Sequence, residues 1–139
     1  MRSSLIRYSC LSMLLLKALG LGIKKDDYNT QVVEMTAKRY EFSPAQVRVK
    51  LGMKIQLRIT AIDRDHGFTI VRDPVGNDSS PHPGLVFTSP AGNDGWRLNK
   101  GKETMIEFVA RATGTYNFNC SLVCGFHHGR MKGRLIVDP

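Results

Sequence analysis

The sequence lacks three features that mark common classes of protein: internal repeats, a helical hydrophobic period beyond its first 25 residues, and an apolar run of membrane-spanning length. Without repeats, a solenoid or a propeller array is excluded. A helix needs roughly 20 apolar residues to cross a bilayer, and no run in this chain reaches that length. The 139 residues, of which 42% are hydrophobic, leave room for one sizeable core and for no second domain.

Acidic residues are also few, with 12 Asp and Glu against 20 Lys and Arg, which gives a formal net charge of +8. Five of the basic residues lie within residues 1–25, where there is no acid, so the remainder carries 15 basic and 12 acidic side chains, a surplus of +3. Basic residues are nowhere interleaved with aromatic residues along one element. We therefore predict no nucleic-acid partner.

Residues 1–25 read as a leader segment. Two arginines precede an apolar run over residues 8–16, and the small residues Ala18 and Gly20 follow it. This pattern is typical of an export signal, which predicts a periplasmic protein. The alternative is an uncleaved, shallow membrane anchor that keeps the protein on the outer face of a membrane. Cys10 lies in this leader, where we interpret it as an apolar filler.

Alternation of apolar and polar residues dominates the rest of the chain. Residues 54–61 alternate without exception, and residues 30–38 and 103–110 alternate nearly as well. An alternating run predicts a half-buried strand. Turn residues recur every ten residues or so, and residues 72–83 are crowded with Pro, Gly, Asn, Asp and Ser. Seven or eight short strands of this kind predict an all-β domain over residues 30–139, a Greek-key β-sandwich or barrel.

One segment near the C-terminus concentrates the metal-binding chemistry. It runs from Cys120 to Met131 and is called the ligand loop below; it holds two thiols, two imidazoles and a thioether. These soft donors favour copper or zinc over calcium or magnesium, and a weak Met ligand is typical of copper electron-transfer sites. The spacing Cys-x-x-x-Cys-x-x-x-His-x-x-Met is too tight for two separate sites and predicts one compact centre.

With this spacing the chain resembles, from about Gln31 onward, the dinuclear copper A domain of cytochrome c oxidase subunit II, a domain also found in nitrous oxide reductase. That family takes a further His from an upstream strand end, often three residues after an Asp. The segment from Asp63 to Phe68 matches that pattern and supplies His66. The resemblance implies a cupredoxin-like fold and two copper ions.

The resemblance also implies the ligands. Cys120 and Cys124 would bridge the two ions; His66 and Met131 would complete one ion, and His128 and the backbone carbonyl of Leu122 the other. The family usually has an acidic or amide residue at the carbonyl position, so Leu122 is a departure.

Several other interpretations of these residues stay open. Cys124, His127 and Met131 also have the spacing of a mononuclear blue copper site, with His127 in place of His128 as the ligand. In an oxidising compartment the two loop thiols form a disulfide as an inactive, metal-free state. We expect His82, between two prolines, to be solvated, and Trp96 to be a packing residue rather than an entry point for electrons.

The function that follows is one-electron transfer by an exported copper protein. A cytochrome c and a haem-copper oxidase are the redox partners that the resemblance implies, and the leader would supply any contact with a membrane. No catalytic base, nucleophile or open coordination position is recognisable in the sequence, so we expect no enzyme activity from this chain alone. The rival interpretations are a mononuclear copper protein for storage or delivery, and a zinc-stabilised β-domain without a redox role.

Overall fold

The computed structural model describes residues 29–77, 81–92 and 94–139. The predictions for the leader and for Cys10 lie outside these residues. Ten strands and one short 3-10 helix make up the described part: β1 (Thr30–Lys38), β2 (Glu41–Ser43), β3 (Gln46–Lys50), β4 (Lys54–Ala61), β5 (His66–Ile70), β6 (Leu85–Phe87), β7 (Trp96–Leu98), β8 (Glu103–Ala110), β9 (Gly114–Asn119), the helix (His128–Arg130) and β10 (Lys132–Asp138). Within the described residues, no helix is long and apolar enough to cross a membrane.

The strands form two five-stranded sheets, in the orders β2-β1-β4-β8-β6 and β3-β10-β9-β5-β7. Two pairs, β1 with β4 and β3 with β10, are parallel, and the other pairs are antiparallel. The predicted all-β sandwich is therefore confirmed.

The core lies between the two sheets and follows the alternation of the sequence. In β4, the apolar residues Ile55, Leu57, Ile59 and Ala61 are all buried, and their polar neighbours are partly exposed. The aromatic ring of Phe118 packs at 5.5 Å and 5.3 Å, centroid to centroid, against those of Phe42 and Phe68. Burial of such side chains contributes about 1.5–3 kcal/mol each relative to exposure. This core fixes the strand ends that carry the donor residues.

The sequence predicted fewer strands than the structure contains. Residues 40–44 contain a proline and no extended alternation, yet β2 forms there by pairing with the end of β1. Likewise β7 forms within residues 89–101, a segment rich in Gly and Asn, because it pairs with β5. Both strands have three residues, too few for an alternation pattern to be visible in the sequence.

Strand pairing brings the candidate metal ligands to one end of the sandwich. Strands β5 and β9 are antiparallel, with Thr69 opposite Asn119, so the first residue of β5 lies near the end of β9. His66 begins β5, and Cys120 follows β9 directly. The β4–β5 loop and the ligand loop therefore meet at the same end, called the metal pole below.

Candidate metal centre

Two thiols and one imidazole form the centre of the metal pole. One donor atom each from His66, Cys120 and Cys124 lies within 4.8 Å of the other two, and all three residues are buried. The two Sγ atoms are 3.9 Å apart, and both cysteines are free thiols. The sequence prediction that these residues meet at one end of the sandwich is therefore satisfied in the structure.

Three further donors surround this group. The Sδ atom of Met131 and the Nδ1 atom of His128 each lie 3.8 Å from the Sγ atom of Cys124. The carbonyl oxygen of Leu122 lies 3.1 Å from the Sγ atom of Cys120. The donor set thus contains two sulfurs from Cys, one from Met, two imidazoles and one carbonyl oxygen.

A carboxylate orients the buried imidazole of His66. Its Nε2 atom is 2.8 Å from Oδ1 of Asp63, while the Nδ1 atom is buried without a hydrogen-bond partner. A buried nitrogen without a partner costs free energy, and a metal ion would satisfy it. The other oxygen of Asp63 accepts a hydrogen bond from the backbone N–H of Arg39 at 2.9 Å. Burial acts to raise the pKa of Asp63, but the hydrogen bonds from His66 and Arg39 outweigh it, so this pKa lies below its usual value.

The electrostatics of the thiol pair also fit a cation. Burial, followed by the proximity of Cys120, raises the pKa of Cys124 to about 11. The Cys124 thiol therefore stays protonated unless positive charge is placed beside it, and a bound metal ion deprotonates the thiols that ligate it. Soft sulfur donors with imidazoles are the set that copper prefers. The residues present at the metal pole therefore fit copper.

Close backbone packing positions the ligand loop against β5. A Cβ atom added to Gly67 would overlap the hydroxyl of Ser121 and lie 2.8 Å from the backbone nitrogen of Leu122, so only Gly allows this approach. The backbone N–H of the same Gly67 lies 3.4 Å from the Sγ atom of Cys120. Across the loop, the N–H of Cys120 donates to the carbonyl of Met131 at 3.0 Å, which closes the two ends of the loop.

The remaining candidates lie outside this donor group. His127 is exposed, and its ring makes an edge contact with Tyr40 at a centroid distance of 5.2 Å. His82 is exposed, as expected. Trp96 packs against Phe87, at 5.0 Å between ring centroids, which agrees with the expected packing role.

Sequence reasoning missed one residue that contacts the centre. The guanidinium of Arg64 donates a hydrogen bond from Nη1 to the carbonyl oxygen of Cys124 at 2.9 Å, across 60 residues of sequence. Only the position of Arg64 between Asp63 and His66 could have drawn attention to it, because no local pattern predicts which distant carbonyl an arginine reaches.

Comparison with known proteins places the chain in a family. The family model described as "Cupredoxin-like domain" matches residues 11–137. A nitrous-oxide reductase from Stutzerimonas stutzeri is 29% identical over 117 residues, which are 81% of this chain and 15% of that protein. The chain therefore spans about a seventh of the length of this relative.

Solved structures show the same fold. A chain from a cryo-EM structure of a heme-copper terminal oxidase dimer matches with a TM-score of 0.55 and 19% identity, covering 84% of this chain and 68% of that one. Auracyanin A, a "blue" copper protein from Chloroflexus aurantiacus, matches with a TM-score of 0.57 and 18% identity, covering 78% and 99%. Because the family model spans nearly all of the described residues, the chain belongs to the cupredoxin-like domain family, a family of copper proteins that transfer electrons.

Proposed function

We propose that this chain is an exported electron carrier that binds two copper ions in a copper A-type centre at the metal pole. The observation that carries the proposal is the 3.9 Å separation of the Sγ atoms of Cys120 and Cys124, with further donors around both. A mononuclear site has use for one thiolate, whereas two neighbouring thiolates can be shared by two ions. The additional donors supply each ion with a separate pair of terminal ligands.

Six residues would hold the ions. Cys120 and Cys124 would bridge them; His66 and Met131 would complete one ion, and His128 and the carbonyl of Leu122 the other. Leu122 serves through its main chain, so its apolar side chain, packed against the core, does not interfere with this role. When bound, such a thiolate-bridged copper pair accepts and releases one electron that is shared by both ions. Zinc has less use for this set, because a thioether and a carbonyl are not its usual ligands.

The protein holds the donors rigidly and keeps water away from most of them. His66, Cys120, Cys124 and Met131 are each at most 1% exposed. A buried, preorganised set of ligands changes little between oxidation states, which keeps the reorganisation accompanying electron transfer small. His128 is only partly buried and so lies nearest to the solvent among the imidazoles of the donor group. Electrons would enter and leave the copper centre through the exposed edge of the His128 ring.

A redox partner would dock on the ligand loop. Val123 and Phe126 in this loop are 76% and 103% exposed, which offers apolar area next to the donors. Arg130 and Lys132 flank Met131 and are exposed, so the rim of this surface is basic. Partners with acidic rims would be steered toward it. A cytochrome c as donor and a haem-copper oxidase as acceptor are the proposed partner classes, in line with the likeness to an oxidase chain.

Residues 1–25 would direct export to the periplasm or anchor the domain on the outer face of a membrane. The proposal covers electron transfer alone, because the chain spans 15% of its nitrous-oxide reductase relative. No activity of the remaining part of that enzyme is assigned to this chain.

The test is copper reconstitution followed by native mass spectrometry and electron paramagnetic resonance. We expect two copper ions per chain and hyperfine structure from one electron shared equally by two copper nuclei. Cys120→Ser should reduce the spectrum to that of a single copper, whereas Ser121→Ala, a neighbouring change that removes no proposed ligand, should leave it unchanged. One copper per chain in the unaltered protein, or an unchanged spectrum in Cys120→Ser, would refute the dinuclear centre.

One observation favours a second function, storage or delivery of a single copper ion. A cleft of about 510 Å³ is lined by Cys120, His128 and Met131 among others, and His128, which is partly exposed, connects the donor group to this cleft. A delivery protein needs such access for exchange. Rapid transfer of copper to a chelator, on a time scale of seconds, together with a mononuclear spectrum would support delivery; slow release from a dinuclear centre would support electron transfer.

A further inference from the structure

The tripeptide Asp63-Arg64-Asp65, called the brace below, links the β4–β5 loop to its surroundings. On one side Asp63 accepts a hydrogen bond from the backbone N–H of Arg39, in the turn after β1. On the other side Asp65 accepts one from the backbone N–H of Lys100, at 2.8 Å. The residues on both sides of Arg64 are therefore hydrogen-bonded to neighbouring segments of the chain. These bonds restrict the backbone at Arg64 and so help to orient its side chain.

The side chain of Arg64 points from the brace to the ligand loop. Its Nη1 atom donates to the carbonyl oxygen of Cys124, one of the two proposed bridging residues. The side chain is half-buried, and its Nε atom is buried without a hydrogen-bond partner. Holding a long side chain in one conformation costs entropy, so the contact with the loop has to offset that cost.

We propose that Arg64 is a positioning residue that ties the ligand loop to the β4–β5 loop and that its permanent positive charge raises the reduction potential of the copper centre. The proposal rests on the proposed copper-binding function. It adds a residue outside the donor set that both orders the ligands and tunes the potential.

The ordering role follows from the partners of the hydrogen bond. His66 follows the brace directly, and Cys124 lies on the ligand loop, so the bond connects the two parts of the chain that supply the donors. A hydrogen bond from a charged donor is stronger than one between neutral groups. Its loss would let the loop open more often around Cys124, even in the protein without metal.

The tuning role follows from charge. Arginine carries a permanent positive charge, and the guanidinium of Arg64 lies 2.9 Å from the carbonyl oxygen of Cys124, one of the proposed bridging ligands. The same charge acts on the loaded centre, because the reduced form carries one positive charge fewer than the oxidised form. A fixed cation nearby therefore favours the reduced form, and removing it should lower the reduction potential.

Three variants separate ordering from charge. Arg64→Met removes both the donor and the charge, and Arg64→Lys keeps the charge without the fork of the guanidinium. Arg111→Met is the matched control, since Arg111 is exposed and follows the far end of β8, beside the start of β4. With β4 spanning roughly 20 Å, the control charge is well separated from the metal pole.

Two measurements are needed. Voltammetry of the copper-loaded protein should give a lower potential for Arg64→Met, and a potential close to the unaltered value for Arg64→Lys and Arg111→Met. Hydrogen exchange of the metal-free protein should show the hydrogen-bonded amides of His128, Arg130 and Met131 exchanging about tenfold faster in Arg64→Met. They should exchange at the unaltered rate in Arg111→Met.

An unchanged potential in Arg64→Met, or the same shift in Arg111→Met, would overturn the tuning role. Unchanged exchange of the three amides would overturn the ordering role. If Arg64→Met does not fold, Arg64→Lys still decides the ordering role, because we expect faster exchange there as well. The exchange experiment needs no copper, so failure of the dinuclear assignment and failure of the role of Arg64 give different results.

Discussion

Replacing Asp63 with alanine tests whether the carboxylate behind His66 prepares the centre for metal. The change removes two hydrogen bonds, from the His66 ring at 2.8 Å and from the Arg39 backbone at 2.9 Å. Hydrogen bonds to charged groups contribute about 1.5–3 kcal/mol each, but the Asp63 side chain is 34% exposed, which weakens them. We therefore expect the free energy of unfolding of the metal-free protein to fall by about 2 kcal/mol in total.

The expected loss of copper affinity is of similar size. When the Nε2–H group of His66 donates a hydrogen bond to Asp63, the buried Nδ1 atom carries the lone pair that is available to a metal ion. Without that carboxylate the ring loses both its orientation and its preferred tautomer, and such losses typically lower metal affinity by about 10–100-fold. That range corresponds to about 1.4–2.7 kcal/mol, close to the loss of stability.

A competition titration of copper against a chelator of known affinity measures this loss, and urea unfolding of the metal-free protein measures the stability. Asp138→Ala is the matched control, because Asp138 also accepts a hydrogen bond, from Arg48 at 2.7 Å, but lies at the end of β10 and contacts none of the proposed ligands. We expect full copper affinity in the control. Equal affinities for Asp63→Ala and the unaltered protein, or equal losses in both variants, would refute the reasoning.

Two predictions concern the rest of the fold. A hydrogen bond from Lys54 holds the pKa of Glu107 below its usual 4.5, so its contribution to stability is present above pH 4.5 and is lost as the pH falls below it. Glu107→Gln should therefore lower the free energy of unfolding by about 1 kcal/mol at pH 7 and make that free energy fall less steeply in acid. The control Glu34→Gln, at an exposed residue, should do neither. Urea unfolding between pH 3 and 7 measures both effects, and an equally steep fall in Glu107→Gln would contradict the role of Glu107. The hydroxyl of Tyr116 donates a hydrogen bond to the carbonyl of Ala112 at 2.8 Å. Tyr116→Phe should therefore lower the free energy of unfolding by about 1 kcal/mol. Equal urea midpoints for the variant and the unaltered protein would show that this bond contributes nothing to stability.

Long alternating segments made the fold predictable. β4 buries every second residue along its whole length, so its period was visible in the sequence without any knowledge of its neighbours. β2 and β7 were missed because their strand conformation depends on partners, β1 and β5, that are fixed only in the folded chain. A segment of three residues cannot display a period, and the pairing that stabilises it is a tertiary contact.

The site was predictable to the extent that its donors are local in sequence. Five of the six proposed ligands lie within the ligand loop, and the spacing of its two cysteines, His128 and Met131 predicts a compact centre. His66 was found through the short pattern that begins at Asp63, and the structure places it beside the two thiols. The resemblance already predicted His128 rather than His127 as the ligand. In the structure Nδ1 of His128 lies 3.8 Å from the Sγ atom of Cys124, whereas the ring of His127 packs on Tyr40.

Burying the donors at the metal pole costs free energy of folding, and packing in the rest of the sandwich offsets this loss. An imidazole nitrogen of His66 is buried without a partner, and the pKa of Cys124 is raised to about 11, so both groups sit where folding alone would not favour them. The rings of Phe42, Phe68 and Phe118 pack against one another beneath the pole, and the buried Cys120, Cys124 and Met131 belong to the same core. Because this core fixes the ends of β5 and β9, the donors are held together before any ion arrives. A metal centre whose ligands are already in place would transfer an electron without first rearranging them. The alternating strands therefore serve the proposed function by fixing the positions of the ligands.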